Sequence, residues 1–441
     1  MARISAREIA LKVLTEYPGR AKPEDLLENL LTTHDPERVE RALATHLVSG
    51  TIKWRNKIDF IIKQLSHRSR VVSPVVLNIL RLSIYQLLFL DRVPDYGATN
   101  EGVELAKKTG DDYQAGYVNA ILRRFLRERE EIEFPDIYGE PIKHIAVVYS
   151  HPTWLVRRWL KRYSVDEVIS LALANNRIPL TGLRVNRLRA TRDEVVGLVQ
   201  EEGAEVAGES LAPDHIYVRG ASPVENLKAH KAGLVQVQDA SSTLVSHVLD
   251  PTEGAVAVDL CSAPGGKATH IYELAGSTGL VVANDVSVPR LLLVRANAIR
   301  LGHLGMAFTI SDGRKPALGD AGFVLVDAPC SGLGVLARRW DLRWAKREND
   351  ILRMAAYQRD LLAAAIGIAK SGGVVVYSTC SIEPEENEDV VRSVLAKHGG
   401  VDLEDISRLV PASVVYREGM MQTLPHVHGT DGIFAARLRK R

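Results

Sequence analysis

Apolar residues recur at three- and four-residue intervals through the first third of the chain. Ile4, Ile9, Val13 and Leu14, then Leu26, Leu27, Leu30 and Leu31, fall at helical spacing, which predicts that residues 1–140 are all helix. Pro23 followed by Glu24 and Asp25 is a helix start, because a first turn needs no proline N–H and favours acids. Val75–Leu90 is apolar nearly all round, as a helix at the centre of a bundle must be, and Asp91–Asp95 with Pro94 ends it. Further helices are expected over Ala98–Lys108 and Ala115–Arg127. From about Pro141 to His230 the pattern mixes. A helix opens at His151-Pro152-Thr153-Trp154 and runs to Tyr163, and Leu183–Arg187 and Asp214–Arg219 read as short strands around a helix from Asp193 to Glu202. From Gly233 short apolar runs alternate with helical stretches. The runs are Val256–Asp259, Leu280–Ala283, Ala307–Ile310, Phe323–Val326 and Val374–Tyr377, with Phe434–Leu438 as one more strand. That alternation predicts a doubly wound parallel sheet. The fold expected is therefore multidomain: an all-α N-terminal bundle (1–140), a small α/β module (141–232) and an α/β, doubly wound, Rossmann-like domain (233–441).

Composition changes this picture little. Apolar residues make up 46% and charged residues 25%, with a formal net charge of +2, the profile of ordinary globular domains. No run of some 18 apolar residues offers a membrane span, and Arg3, Arg7 and Glu8 break any signal-peptide core; a cytoplasmic protein is expected. Local charge is more informative. Lys53, Arg55, Lys57, Lys63, Arg68 and Arg70 are opposed only by Asp59, with Trp54 among them. Arg184, Arg187, Arg189 and Arg192 form a second group, and Arg157, Arg158, Lys161 and Arg162 share the helix after His151. Each reads either as a solvated face, the commoner case, or as a surface for RNA. The cysteines are Cys261, Cys330 and Cys380. An odd, sparse set argues against a disulfide framework, and no ligand spacing points to a metal. All three stand at or just beyond a predicted strand end, which favours reactive roles over plain burial. His151 and His270 read as packing or cap residues.

The chemistry centres on Asp259-Leu260-Cys261-Ser262-Ala263-Pro264-Gly265-Gly266-Lys267. A strand, a glycine turn and a helix place a ligand against helix N-terminal amides at the carboxyl end of a parallel sheet. A phosphate-binding P-loop fails, since Cys261 and Ala268 stand where Gly and Ser or Thr are required, and the dinucleotide glycine pattern is absent. A nucleoside-type ligand remains. Asp285, ending the second strand, can accept two ribose hydroxyls, and Asp312 after the third strand could bind an adenine amino group. Asp327-Ala328-Pro329-Cys330-Ser331-Gly332 and Ser378-Thr379-Cys380-Ser381 follow the fourth and fifth strands, so two thiols could converge on one substrate. Methyl transfer to carbon 5 of a pyrimidine needs such a thiolate: addition to carbon 6 makes carbon 5 enamine-like. A carboxyl near ring nitrogen 3, here Asp327, would stabilise the addition. The residues alone leave open which thiol attacks.

These motifs, together with Ala42-Thr45-Leu47-Val48-Gly50, Val93-Pro94-Asp95-Tyr96, Tyr117–Arg124, Tyr149-Ser150-His151-Pro152, Leu183–Asn186, Gln238–Ser242 and Thr430-Asp431-Gly432, carry a resemblance over almost the whole chain. It resembles the bacterial 16S ribosomal RNA cytosine-5 methyltransferases, in the branch whose N-terminal domain is similar to the antitermination factor NusB. The resemblance implies S-adenosylmethionine as cofactor and 16S ribosomal RNA, free or in a partly assembled subunit, as partner. It also implies cytosine 967 as target. It assigns Cys380 as nucleophile on carbon 6 and Cys330 to product release. Cys261, Ser262, Ala263, Pro264, Gly265, Gly266 and Lys267, with Asp285, Asp312 and Asp327, would hold the cofactor and active-site geometry, Cys261 being structural. Two departures stand out: Ser262 where alanine is commoner, and Ala337-Arg338-Arg339-Trp340-Asp341, where relatives carry more arginine and a proline. The second could alter RNA contacts. A related enzyme acting on transfer RNA or another ribosomal position, and a non-catalytic assembly factor, are the competing expectations. A monomer is expected, and no metal.

Overall fold

A computed structural model of the chain describes residues 4–17, 22–66, 73–220, 223–276 and 278–441. Arg3, Arg68 and Arg70 lie outside the described residues. The chain forms two compact units, one of residues 1–176 with Arg343–Ala345 and one of residues 177–342 with 346–441. None of the described helices is long and apolar enough to cross a membrane.

The first unit is helical: α1 (Ala6–Glu16), α2 (Pro23–His34), α3 (Arg38–Lys53), α4 (Arg55–Leu65), α5 (Pro74–Phe89), α6 (Asp95–Thr109), α7 (Asp112–Glu128), α8 (Pro141–Val148), α9 (Thr153–Trp159) and α10 (Val165–Asn176). Ser5 and Glu8 close a capping box on α1, satisfying N–H groups that no turn of helix reaches. The apolar periodicity is spent on packing: Ile9, Val13, Leu14, Leu47, Val48 and Ile79 are buried. At Gly50 the helices α3 and α5 touch so closely that a Cβ would meet the Tyr85 ring at 2.0 Å.

Among the described residues of the basic window around Trp54, Lys63 is exposed while Lys53, Arg55 and Lys57 are wholly or partly covered. Lys53 is buried and donates to the Asn176 carbonyl at 3.3 Å. Burial and the nearby Arg343 charge lower its ammonium pKa to about 8. Arg55 lies 4.8 Å over the Trp344 ring, and Lys57 sits 5.6 Å from Trp54 and 5.3 Å from Phe134. Lysine and arginine stems cover apolar rings readily, so charge in sequence overstated charge at the surface. Arg343 is fully buried and donates to the carbonyls of Ser150 (3.1 Å) and Asn175 (3.0 Å) and to Asn176 Oδ1 (2.8 Å).

The second unit begins with a small module: β1 (Thr181–Val185), α11 (Arg192–Glu201), β2 (Glu205–Val206), β3 (His215–Arg219), α12 (Lys228–Lys231) and β4 (Val235–Val237). Its strands pair antiparallel in the order β2-β3-β1-β4, and Leu183, Val185, Val195, Val199, Ile216 and Val218 fill its core. There follow α13 (Ala240–Leu249), β5 (Val256–Asp259), α14 (Gly266–Leu274), β6 (Leu280–Asp285), α15 (Val288–Leu301), β7 (Ala307–Ile310) and β8 (Ala321–Asp327). The chain ends with α16 (Leu342–Ala345), α17 (Glu348–Ile368), β9 (Ala369–Thr379), α18 (Glu388–Leu395), β10 (Val401–Glu404), β11 (Met421–Gln422), α19 (Pro425–His428) and β12 (Phe434–Lys440).

Among the described residues these strands build an eight-stranded sheet in the order β10-β12-β9-β8-β5-β6-β7, with β11 beside β12. The five strands β5 to β9 pair parallel, as the alternation predicted. The sheet as a whole is mixed, because β12 runs antiparallel to β9, β10 and β11. The chain passes from β11 through α19 before it enters β12. The strand order reverses direction between β5 and β8. That switch point opens a crevice at the carboxyl ends of the strands, where ligands of open α/β sheets sit.

Candidate active site

The carboxyl ends of β5, β6 and β8 present Asp259, Asp285 and Asp327. After β5 the chain turns through the cis Ala263–Pro264 bond and through Gly265 at φ 105° into α14. Gly265 has a second reason to lack a side chain: a Cβ there would stand 3.0 Å from the Val294 backbone. Ser262 anchors the loop to β6, its N–H and its hydroxyl both donating to the Asn284 carbonyl at 2.9 and 3.0 Å. The serine departure thus adds a tether inside the loop. Cys261 is part-buried, its Sγ near the backbone of Gly313, and burial beside Asp259 pushes its thiol well up.

The acids differ in state. Asp259 is fully buried; one oxygen accepts from the Cys261 N–H at 3.2 Å and the other has no partner. Burial, then the Asp327 charge, raise its pKa to about 8. Asp285 accepts from the N–H groups of Ala263 (3.3 Å) and Ser287 (2.9 Å). Asp312, two residues beyond β7, is gripped by Arg314, with Nη2 to Oδ2 at 2.6 Å. Its carboxylate therefore already has a cation, which the residue pattern did not foretell.

Two loops bring the thiols together. Cys330 Sγ and Cys380 Sγ, 50 residues apart in the chain, lie 2.9 Å from one another, both unoxidised, and the Cys380 N–H donates to Cys330 Sγ at 3.3 Å. The hydrogen bond from Cys380 and burial hold the Cys330 thiol well above its usual pKa. Beside them Lys267 Nζ donates to Asp327 Oδ2 at 2.7 Å, and the Ser378 hydroxyl donates to Asp327 Oδ1 at 2.9 Å. The Asp327 charge, acting against burial, keeps Lys267 protonated, with Cys380 contributing in the same direction. A cleft of about 270 Å³ runs between Lys267 and Asp327 on one side and Gly182, Gln238, Asp239, Arg338 and Asp431 on the other. The carboxylate–ammonium pair Asp327–Lys267 lines this cleft, the Cys330–Cys380 thiol pair stands on the loops after β8 and β9, and Asp259 is a buried acceptor with one unpartnered oxygen.

Several expectations are corrected here. Arg184 is not surface charge: it is fully buried, with Nη2 on Glu273 Oε1 at 2.7 Å and on Thr269 Oγ1 at 3.1 Å, and Nη1 on the Gly266 carbonyl and Gln238 Oε1. It holds the glycine-loop helix from below. Arg189 donates to the Ala232 carbonyl at 2.9 Å. Arg187 and Arg192 remain exposed and line a separate hollow of about 310 Å³. Arg338, expected to affect RNA contacts, is braced between Asp239 (3.0 Å) and Asp431 (3.0 Å). Burial and the Asp239 charge raise Asp431 to about 7. His151 is a packing residue, its Nδ1 on the Tyr149 carbonyl at 2.7 Å. His270 does more than cap: with His247 it sandwiches Asp214, at 2.7 and 2.9 Å, and the three offer ligand atoms within 4.8 Å of one another. Hydrogen bonds account for that trio. The residue pattern also missed Glu386, a buried carboxylate between the two thiol loops.

Comparison with known proteins matches three segments: residues 246–439 to the 16S rRNA methyltransferase RsmB/F family, 4–127 to the NusB family and 151–225 to the ferredoxin-like domain of RsmF/B-like methyltransferases. A probable ribosomal RNA small subunit methyltransferase B of Bacillus subtilis is 33% identical over the whole of both chains. The ribosomal RNA small subunit methyltransferase B of Yersinia enterocolitica is 35% identical over 91% of each chain. Among solved structures, that of PH0851 superposes with a TM-score of 0.83 at 28% identity, covering 99% of this chain and 98% of that one. NSun6 from Pyrococcus horikoshii, solved with SFG, superposes with a TM-score of 0.61 at 26% identity over 66% of this chain and 99% of that one.

Proposed function

Because the chain belongs to the ribosomal RNA small subunit methyltransferase B family, S-adenosylmethionine-dependent RNA methyltransferases, we propose that it methylates carbon 5 of one cytosine in 16S ribosomal RNA, cytosine 967 by family resemblance. The observation that carries this reading is the pair of thiols 2.9 Å apart beside the Lys267–Asp327 pair. The residues fit the cofactor. The unpartnered oxygen of buried Asp259 needs a donor, which an amino-acid ammonium supplies, and the Gly265–Gly266 turn leaves room for a ligand against the amides of α14. In this reading Asp285 takes the ribose hydroxyls, and Ser262, Ala263, Pro264 and Lys267 form the turn against the ligand. When bound, S-adenosylmethionine supplies an electrophilic methyl group on a sulfonium centre.

The chain's own groups do the rest. The target base must first be unstacked to enter the cleft. The Cys380 thiolate adds to carbon 6, forming the carbon–sulfur bond and moving an electron pair to carbon 5. In this reading the Lys267 ammonium, held by Asp327 at 2.7 Å, donates to ring nitrogen 3 as it gains charge. Carbon 5 takes the methyl group. Its remaining proton then leaves to a base, the pair restores the carbon 5–carbon 6 double bond, and the sulfur departs. Cys330 assists that release, a role that suits a thiol kept protonated by its surroundings. Residues 1–140 and 141–232 hold RNA for the catalytic part, 233–441, in this reading, and the enzyme works as a monomer.

The test uses wild type, Cys380→Ala and Cys330→Ala with labelled S-adenosylmethionine and 16S RNA transcript. Methyl incorporation and covalent RNA adducts are read on a denaturing gel. Cys380→Ala should give neither, and Cys330→Ala should accumulate adduct. Adduct that forms in Cys380→Ala and vanishes in Cys330→Ala would reverse the roles. RNA binding without methylation, on transcript and on subunits lacking the mark alike, would favour an assembly factor.

A further inference from the structure

Something must hold two thiols together that sit on separate loops. Ser331 follows Cys330 and Ser381 follows Cys380, and both lead to the same group. Glu386, in the short turn Pro384–Glu386, is fully buried. Its Oε1 accepts from the Ser331 N–H at 2.7 Å and from Gln358 Nε2 at 3.1 Å. Its Oε2 accepts from the Ser381 hydroxyl at 2.7 Å and from the Ser331 hydroxyl. Gln358 passes the same grip to the Pro329 carbonyl at 2.9 Å, just before Cys330. The next residue, Asn387, clasps the other loop: its Oδ1 accepts from the Thr379 hydroxyl at 2.6 Å and its Nδ2 donates to the Ser381 carbonyl at 3.0 Å. The Tyr377 hydroxyl fixes the turn itself by donating to the Glu386 carbonyl.

We infer that Glu386 is a positioning residue for the reaction: one carboxylate, bonded to the residue after each thiol, sets the distance and the division of labour between Cys330 and Cys380. The inference rests on the cytosine reading for its catalytic consequence, and on geometry alone for its effect on the thiols. A buried carboxylate with several donors is rigid, because every alternative rotamer leaves a charge unsatisfied. Its charge also acts on chemistry. It is one of the influences that hold the Cys330 thiol protonated, so a negative neighbour keeps Cys330 from competing as the nucleophile. The charged groups around it are few. The Cys330 thiol and the Tyr377 phenol face it, and the pull of Ser331, Ser381 and Gln358 opposes the rise in its own pKa that burial causes.

Glu386→Gln separates the two contributions, since it keeps size and half of the hydrogen bonds while losing the charge. With 16S RNA transcript, kcat should fall about 100-fold, the scale of a displaced reacting group, while the RNA KM and the affinity for S-adenosylmethionine stay within about threefold. In a second arm, without RNA, iodoacetamide alkylation is followed at each cysteine by peptide mass spectrometry between about pH 6.5 and 9.5. Cys330 should become alkylated about one pH unit lower in Glu386→Gln than in wild type. The double variant Ser331→Ala, Ser381→Ala keeps the carboxyl group and its bonds to the Ser331 N–H and Gln358 but removes both hydroxyl donors, and it should lose kcat. A Glu386→Gln protein with wild-type kcat and wild-type alkylation would overturn the inference. So would a loss of kcat matched by equal losses of cofactor affinity and melting temperature, which marks a general structural role. If wild type transfers no methyl group, the cytosine reading fails while the alkylation arm still decides the clamp.

Discussion

Replacing Arg184 by methionine removes a cation from the interior of the second unit. The guanidinium is fully buried and its main partner is Glu273, also fully buried, at 2.7 Å. After the change Glu273 keeps only His303, whose Nε2 lies 3.0 Å away, while Gln238 Oε1 loses its donor and the Gly266 carbonyl keeps only the weaker neutral donor Thr269 Oγ1, at 3.1 Å, among side chains. Breaking a buried pair from one side costs about 3–5 kcal/mol, because the remaining charge is stranded. That is a large part of the roughly 5–15 kcal/mol that keeps a domain folded. For a unit of this size each kcal/mol moves the midpoint by roughly 2–4 °C; the loss should therefore be at least about 6 °C. The assay is calorimetry of the full chain, reading the transition that S-adenosylmethionine raises, since a ligand stabilises the unit that binds it. The double variant Arg184→Met, Glu273→Leu supplies the control. Arg184 Nε and Glu273 Oε2 have no partners, so the native pair is imperfectly compensated. An apolar replacement of both should recover at least half of the loss. A shift under about 2 °C in the single variant, or no recovery in the double, would refute the reasoning.

Two further outcomes follow from the crevice. Lys267→Met leaves Asp327 facing Asp259 without its cation, and methyl transfer should fall at least about 100-fold, measured with labelled cofactor at saturating RNA. Asp259 carries a pH signature: its pKa rises from 3.8 unfolded to about 8 folded. The native state therefore holds the extra proton between those values, and stability from this group falls as pH rises through that window. Asp259→Asn removes the titration, so its melting temperature relative to wild type should climb from pH 5 to pH 8; an unchanged difference across that range would contradict the assignment.

What could be read from the sequence was what local chemistry dictates. The glycine turn after β5 and the two cysteine loops are short motifs whose residues act close to where they stand in the chain, and the parallel strands carry continuous apolar runs. What could not be read depends on partners far away. Arg184 and Glu273 are 89 residues apart, and nothing near either reveals that they meet in the interior. Lys53 and Arg338 looked like surface charge for the same reason. Glu386 stands in the run Glu383-Pro384-Glu385-Glu386-Asn387-Glu388, which reads as solvated acid until the fold buries part of it. The strands β4, β10 and β11 are short, and β12 takes its direction from partners that periodicity cannot name.

The insertion of Arg343–Ala345 into the first unit bears on how the protein could be dissected. The backbone passes from one unit to the other at Asn176, returns for three residues, and leaves again. A cut in the chain after Asn176 would not yield two self-sufficient fragments. The first piece would lack the guanidinium that caps the carbonyls of Ser150 and Asn175, and the Trp344 indole that donates to Ile52 at 2.7 Å. The second piece would carry that arginine and indole as an orphaned plug. Mixed together, two such fragments have a built-in reason to reassociate through Arg343 and Trp344, which suits a split, complementing version of the enzyme.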